Sequence, residues 1–140
     1  EELKNKYFIL HQVGKIFIDE YKPLMDKTSY IPLAFLGKEM IDVFKMADVI
    51  ISRAGAGTVC ELMALNKKSI FIPLKIAQKN EQYHNAMESQ SKIGSLVIEE
   101  DDFKTIKLSE FIEKHDFKSE KSNSFFNGKD YLIKEILDIV

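Results

Sequence analysis

The sequence predicts an α/β fold, a parallel sheet flanked by helices, and three observations predict it. Its strand candidates are short and almost wholly apolar, as in residues 48–52 (DVIIS) and 69–74 (SIFIPL), the pattern of strands covered on both faces. Those strands alternate with segments of about ten residues carrying apolar positions at helical spacing, which makes βαβ units. One strand runs directly into a glycine-containing loop and then a helix, across residues 48–65.

Taken in order, residues 6–11 read as a buried strand closed by a turn at Gly14. Residues 15–21 fit either helix or strand, and Pro23 ends them. Residues 29–35 read as a second strand, with Pro32 at an edge or near its end because proline cannot donate to a ladder. Residues 38–47 place Met40, Ile41, Phe44 and Ala47 on one helical stripe. After the strand 48–52 comes a helix over 57–65, closed by Asn66 in a left-handed cap and by Lys67 and Lys68 at its negative end. A strand over 69–74, a helix over 81–93 stopped by Gly94 and a strand over 95–98 follow. Residues 99–102 read as a solvated acidic turn and 107–115 as helix. Residues 117–128 form a polar connector, and a last helix carries Leu132, Ile133, Ile136, Leu137 and Val140 on one stripe. Crossovers in such a fold are right-handed, and a ligand site lies beyond the carboxyl ends of the strands. Residues 1–140 are expected to form a single domain.

Composition narrows the function classes. With 140 residues, 45% of them hydrophobic and 30% charged, the chain is globular in character. A net charge of −2 argues against a nucleic-acid-binding face. The apolar runs are too short to cross a bilayer. One cysteine, Cys60, excludes an internal disulfide and fits a reducing compartment, and with three histidines it leaves no metal site to expect. Cys60 itself reads as packing filler. The chain opens on Glu1 with no methionine, which reads as the start of a fragment. Arg53 is the one arginine among 20 basic residues, so position 53 favours a planar, multi-donor fork over a lysine.

Two segments carry candidate chemistry. In the first, Gly55 and Gly57 allow a tight turn with open amides, Thr58 stands at the helix start, and Glu61 follows one turn on. Free N–H groups and the helix dipole there suit a diphosphate, and the carboxylate suits ribose hydroxyls. The same residues also fit an ordinary capped turn, and spacing alone leaves both open. In the second, Gln82 and Asn85 sit three apart on one helical face, offering uncharged donors and acceptors of the kind sugar hydroxyls need. His11 ends the first strand on the same edge without an acidic partner. Backbone amides around Phe35 and Leu36 could pair with a flat base.

Residues 6–103 resemble the C-terminal domain of the MurG family. Four stretches carry the likeness in order: FILHQVGK, the run FLGKEMIDVFKMADVIISRAGAGTVCEL, SIFIPL and NEQYHNA. That family transfers N-acetylglucosamine from UDP-N-acetylglucosamine to lipid I, making lipid II for peptidoglycan, on a GT-B fold of two Rossmann-like domains. The resemblance implies that this chain is the donor-binding domain without its first strand. The acceptor domain, the general base and the membrane-docking patch would then lie outside it. It implies that Ala56, Gly57, Thr58, Val59, Cys60 and Glu61 hold the diphosphate and ribose. Gln82 would read the sugar hydroxyls with Asn85 in support, and Leu36 would meet uracil. It implies no cofactor, no metal, no catalytic residue in this chain, no activity of the chain alone, and a place on the cytoplasmic face of the plasma membrane for the full-length protein. The rivals are a donor-binding subunit of a split GT-B glycosyltransferase, a UDP-sugar epimerase lacking visible acid and base partners for His11 and His84, and a non-catalytic interaction module.

Overall fold

The computed structural model describes residues 2–76, 78–117, 133–134 and 136–138. The chain divides into two compact units: Glu1–Met40 with Asp130–Val140, and Ile41–Lys129. Most of the expected connector, and Leu132 and Val140 of the last helix, lie outside the described residues.

In the first unit, β1 (Ile9–Gln12) pairs in parallel with β2 (Tyr30–Leu33), with Ile9 opposite Tyr30 and Gln12 opposite Leu33. The ladder extends one bond beyond each end, from the Ile9 N–H to Ser29 and from the Val13 N–H to Leu33. All four residues of β2 are buried, which accounts for its unbroken apolar sequence. Among the described strands β1 and β2 pair only with each other, so the missing N–H of Pro32 can fall on the side away from that pairing. The segment open to two readings contains a short helix, α1 (Ile18–Tyr21), continued by a 3₁₀ turn, Lys22–Leu24, with proline in its first turn, where a missing N–H costs nothing. Gly14, at φ +86°, turns the chain after β1. Ile136, on the expected final helix, is fully buried.

The turn into β2 is built by Asp26. Its carboxylate accepts hydrogen bonds from the Thr28 hydroxyl at 2.7 Å, the Thr28 N–H at 2.9 Å and the Ser29 hydroxyl at 2.7 Å. Those donors, with Lys4 nearby, lower its pKa to about 2. The ordinary carboxylate value is about 3.9. The folded pKa therefore lies below the unfolded one: the stabilisation is complete above the unfolded value and is lost as pH falls through the folded one. We expect the Thr28 amide resonance to stay constant down to about pH 4 and then shift with a midpoint near 2. A midpoint at the ordinary carboxylate value would disprove the anchor.

The second unit holds a three-stranded parallel sheet in the order β3 (Ile51–Ser52), β4 (Ile70–Phe71), β5 (Leu96–Val97). The strands are shorter than their apolar runs. Single ladder bonds still extend them, from Ile70 N–H to Ile50, Ile72 N–H to Ser52, Leu96 N–H to Ser69 and Ile98 N–H to Phe71. Helix α2 (Met40–Met46) buries Val43 and Phe44 but leaves Ile41 36% exposed, so its inner face is rotated from the expected stripe. Helix α3 (Ala56–Ala64) links β3 to β4 and buries Val59 and Leu62. It ends as expected: Asn66 takes φ 49°, its N–H reaches Met63, and the Lys67 N–H reaches Leu62. That is a Schellman closure with asparagine at the left-handed position. Helix α4 (Glu81–Ile93) links β4 to β5, packs on α3, and stops at Gly94 with φ 74°.

Two expectations are corrected here. The acidic segment is not a solvated turn: α5 (Glu100–Phe103) begins inside it, with Glu99 as its N-cap and acids in its first turn, where they meet the positive helix end. The helix expected over 107–115 is α6 (Leu108–Glu113), which is shorter. At the amino ends of β4 and β5, Ser69 and Ser95 are buried with Ser89 of α4. Ser95 Oγ accepts from the Ser69 N–H at 3.2 Å and from the Ser89 hydroxyl at 2.8 Å, joining β4, α4 and β5.

Candidate functional site

The carboxyl ends of β3 and β4 and the first turns of α3 and α4 meet within the second unit. Arg53 and Ala54 follow β3 directly. Arg53 sends Nη1 to the Ile72 carbonyl at 3.1 Å and Nη2 to the Glu100 carboxylate at 2.7 Å. One planar fork thus ties the end of β3 to the end of β4 and to the start of α5, which a lysine ammonium on a single flexible stem would not do as rigidly. Arg53 therefore braces the site by bonding protein groups. Its partner Glu100 lies 47 residues away and gave no local signal in the sequence.

Helix α3 starts at Ala56, with Gly55 as N-cap at φ −63° and ψ 145°. This corrects the placement of Thr58, which sits inside the first turn and does not cap the helix. No side chain caps this end, and its first turn carries no acid. The first intrahelical bond runs from the Val59 N–H to Gly55, so the amides of Ala56, Gly57 and Thr58 lie ahead of the helical ladder. Neither Gly55 nor Gly57 has positive φ, so the turn does not require glycine for its conformation. A Cβ added at either would meet nothing within 4 Å, and the two glycines border open space.

Helix α4 enters through two left-handed residues, Lys79 and Asn80, and turns its first-turn face toward this loop. Gln82 Oε1 accepts from the Leu74 N–H at 3.0 Å and the Ala54 N–H at 3.3 Å. Asn85 Nδ2 donates to the Ala54 carbonyl at 3.1 Å. Beside them opens a cleft of about 380 Å³ lined by Pro73, Leu74, Lys75, Asn80, Tyr83, Glu99 and Glu100. The Lys75 ammonium pairs with Asp101, which raises the lysine pKa and lowers that of the aspartate. Among the described residues no cluster of His, Cys, Asp or Glu could hold a metal ion, and no helix is long and apolar enough to cross a membrane.

With this geometry in view, the chain matches the glycosyltransferase family 28 C-terminal domain over residues 1–135. The chain belongs to that family. Curated relatives bear it out. One from Clostridium botulinum (strain Loch Maree / Type A3) is 33% identical over 105 residues, which is 74% of this chain and 29% of the relative. One from Clostridium perfringens (strain SM101 / Type A) is 35% identical over 105 residues, with the same 74% and 29% coverage. One from Thermodesulfovibrio yellowstonii is 38% identical over 94 residues, 64% of this chain and 25% of the relative. Each is named UDP-N-acetylglucosamine–N-acetylmuramyl-(pentapeptide) pyrophosphoryl-undecaprenol N-acetylglucosamine transferase. The chain thus spans under a third of the length of these relatives. Among solved structures, Acinetobacter baumannii MurG shares the fold at a TM-score of 0.64 and 22% identity, over 93% of this chain and 41% of that one. The expected fold class and MurG resemblance are both borne out.

Within this glycosyltransferase family 28 domain the expected residues divide. Ala56, Gly57, Cys60 and Glu61 are exposed and Thr58 is half-buried, all on α3. Cys60 is thus not packing filler: one helical step past buried Val59, it turns outward. Val59 is 2% exposed and its N–H is spent on Gly55, so neither its side chain nor its amide faces outward. Gln82 and Asn85 stand beside this helix start, both bonded to Ala54. Leu36 belongs to the first unit, where its side chain is buried and its N–H is taken by Gln12 Oε1 at 2.9 Å. His11, also in the first unit, bonds the Tyr30 hydroxyl through Nδ1 at 2.8 Å, and burial lowers its pKa. That favours a neutral ring and argues against a phosphate-binding cation. Sequence reasoning gave no role to Gln12, Tyr83 or Glu100; the lone arginine marked position 53 but not its partner Glu100.

Proposed function

We propose that this chain is the donor-binding part of a hexosyltransferase that uses UDP-N-acetylglucosamine. The observation that carries the reading is the open, uncapped, acid-free N-terminus of α3 at the carboxyl edge of the sheet, with an amide-bearing helix face beside it. The names of the curated relatives support the choice of donor and of lipid I as acceptor. On this reading the amides of Ala56, Gly57 and Thr58 take the diphosphate, the Glu61 carboxylate takes the ribose hydroxyls, and Gln82 faces the sugar. Leu36 contributes to the uracil site only if Gln12 releases its amide. Transfer is inverting: the acceptor hydroxyl attacks the anomeric carbon as UDP leaves, and the dipole and amides of α3 stabilise the leaving diphosphate. The acceptor site, the base and any membrane contact belong to other parts of the protein, which would work at the cytoplasmic face of the plasma membrane. Residues 1–140 then serve as one incomplete C-terminal domain, inactive alone.

Calorimetric titration of the natural-length protein tests this. We expect saturable binding of UDP and UDP-N-acetylglucosamine, weakened roughly 10- to 100-fold by Glu61→Ala, the cost of one to two hydrogen bonds to a charged group. Absence of binding, or undiminished affinity in the variant, would favour a non-catalytic interaction module.

A further inference from the structure

We infer that Asn85 is a positioning residue that sets the geometry of the anion-binding loop, and that Gln82 shares this task through its oxygen. The inference rests on the donor-binding reading above and changes the role that reading gives to the α4 face. Ala54 is fully buried and is the last residue before the N-cap of α3. Both of its backbone polar groups are held by α4: the N–H by Gln82 Oε1 and the carbonyl by Asn85 Nδ2. The same Gln82 oxygen holds the Leu74 N–H, so one atom fastens the loop after β3 to the loop after β4. Gly55 and Gly57 have no side chains to pack, and open space lies beside both. Beside the Arg53 brace, the α3 start is therefore ordered from outside the loop through Ala54.

Two consequences follow. Oε1 of Gln82 already accepts two N–H groups, so the end left for a ligand is Nε2, a donor only. Asn85 commits its Nδ2 to the loop, so its effect on a donor passes through the diphosphate site and not through the sugar. Amides aimed at developing charge act by preorganisation, and a displacement of about 1 Å costs on the order of 100-fold.

The test compares UDP, which lacks the sugar, with UDP-N-acetylglucosamine on the natural-length protein by calorimetry. We expect Asn85→Ala to weaken both by the same factor, about tenfold, with unchanged stoichiometry; the buried Ala54 carbonyl left without its donor also lowers the melting temperature, whereas partial unfolding at the titration temperature would lower the stoichiometry. A loss confined to UDP-N-acetylglucosamine would make Asn85 a sugar ligand and overturn the inference. Hydrogen exchange on the unmutated protein gives a second, independent arm. The Ala54 and Leu74 amides, although outside any helix or strand, should be protected, and Gln82→Met should release them while the Ile72 amide stays protected. Free exchange of Ala54 and Leu74 in the unmutated protein would overturn the clamp even if donor binding is observed. Failure of the unmutated protein to bind either nucleotide would sink the donor reading itself.

Discussion

Gly57→Leu is expected to abolish UDP binding, by at least about 100-fold, while the melting temperature stays level or rises. Gly57 is the second residue of α3, and a Cβ there meets no atom within 4 Å, so the protein accommodates a side chain without strain. A helical glycine replaced by leucine gains up to roughly 1 kcal/mol of propensity, less in the first turn. The new side chain would stand over the amides of Ala56, Gly57 and Thr58 and keep a diphosphate from reaching them. A plain capped turn predicts the same gain in stability without any loss of affinity. Titration with UDP beside a thermal melt separates the two, and retained nanomolar-to-micromolar affinity in the variant would remove the diphosphate from this helix end. Gly57→Ala should fall between the two proteins, because a methyl group covers less of the amide cluster.

The contrast between what that loop looks like in sequence and what it does in the structure is instructive. Strand–loop–helix order was legible because apolar runs and helical spacing are local signals. The caps at Asn66 and Gly94 were legible for the same reason, since each depends on one residue's tolerance of positive φ. Strand ends were less so: residues 70–74 are apolar throughout, yet the paired strand is only Ile70–Phe71, Ile72 adds one bond to Ser52, and buried Pro73 has no N–H to pair. Gly55 and Gly57 suggested a tight turn with open amides; the structure gives ordinary backbone at both and empty space beside them, a property that only the surroundings of a residue define. The pairing of Arg53 with Glu100, and of Gln82 and Asn85 with Ala54, joins residues 28 to 47 apart. No periodicity reports such contacts. The sequence supplied the residue types and the edge, while the orientation of each amide came from how α4 approaches the loop.

Helix α4 is also tied to the strands by the serine cluster, and Ser95→Ala is expected to produce a large loss of stability for the removal of one oxygen atom. Ser95 Oγ is the acceptor for two buried donors, the Ser69 N–H and the Ser89 hydroxyl. Removing it leaves both without a partner in a region closed to water, at about 1–3 kcal/mol for each. We expect a total near 2–4 kcal/mol and a melting temperature lower by roughly 10 °C. A loss below about 1 kcal/mol would mean that the cluster relaxes or admits water. Ser89→Ala alone should cost less, because the Ser69 N–H keeps its acceptor. In the double variant one of the two orphaned donors no longer exists, so the combined loss should fall short of the sum of the single losses, with a coupling of the order of 1 kcal/mol. Additive losses would show that Ser89 and Ser95 contribute independently, and that the 2.8 Å contact between them carries no energy of its own.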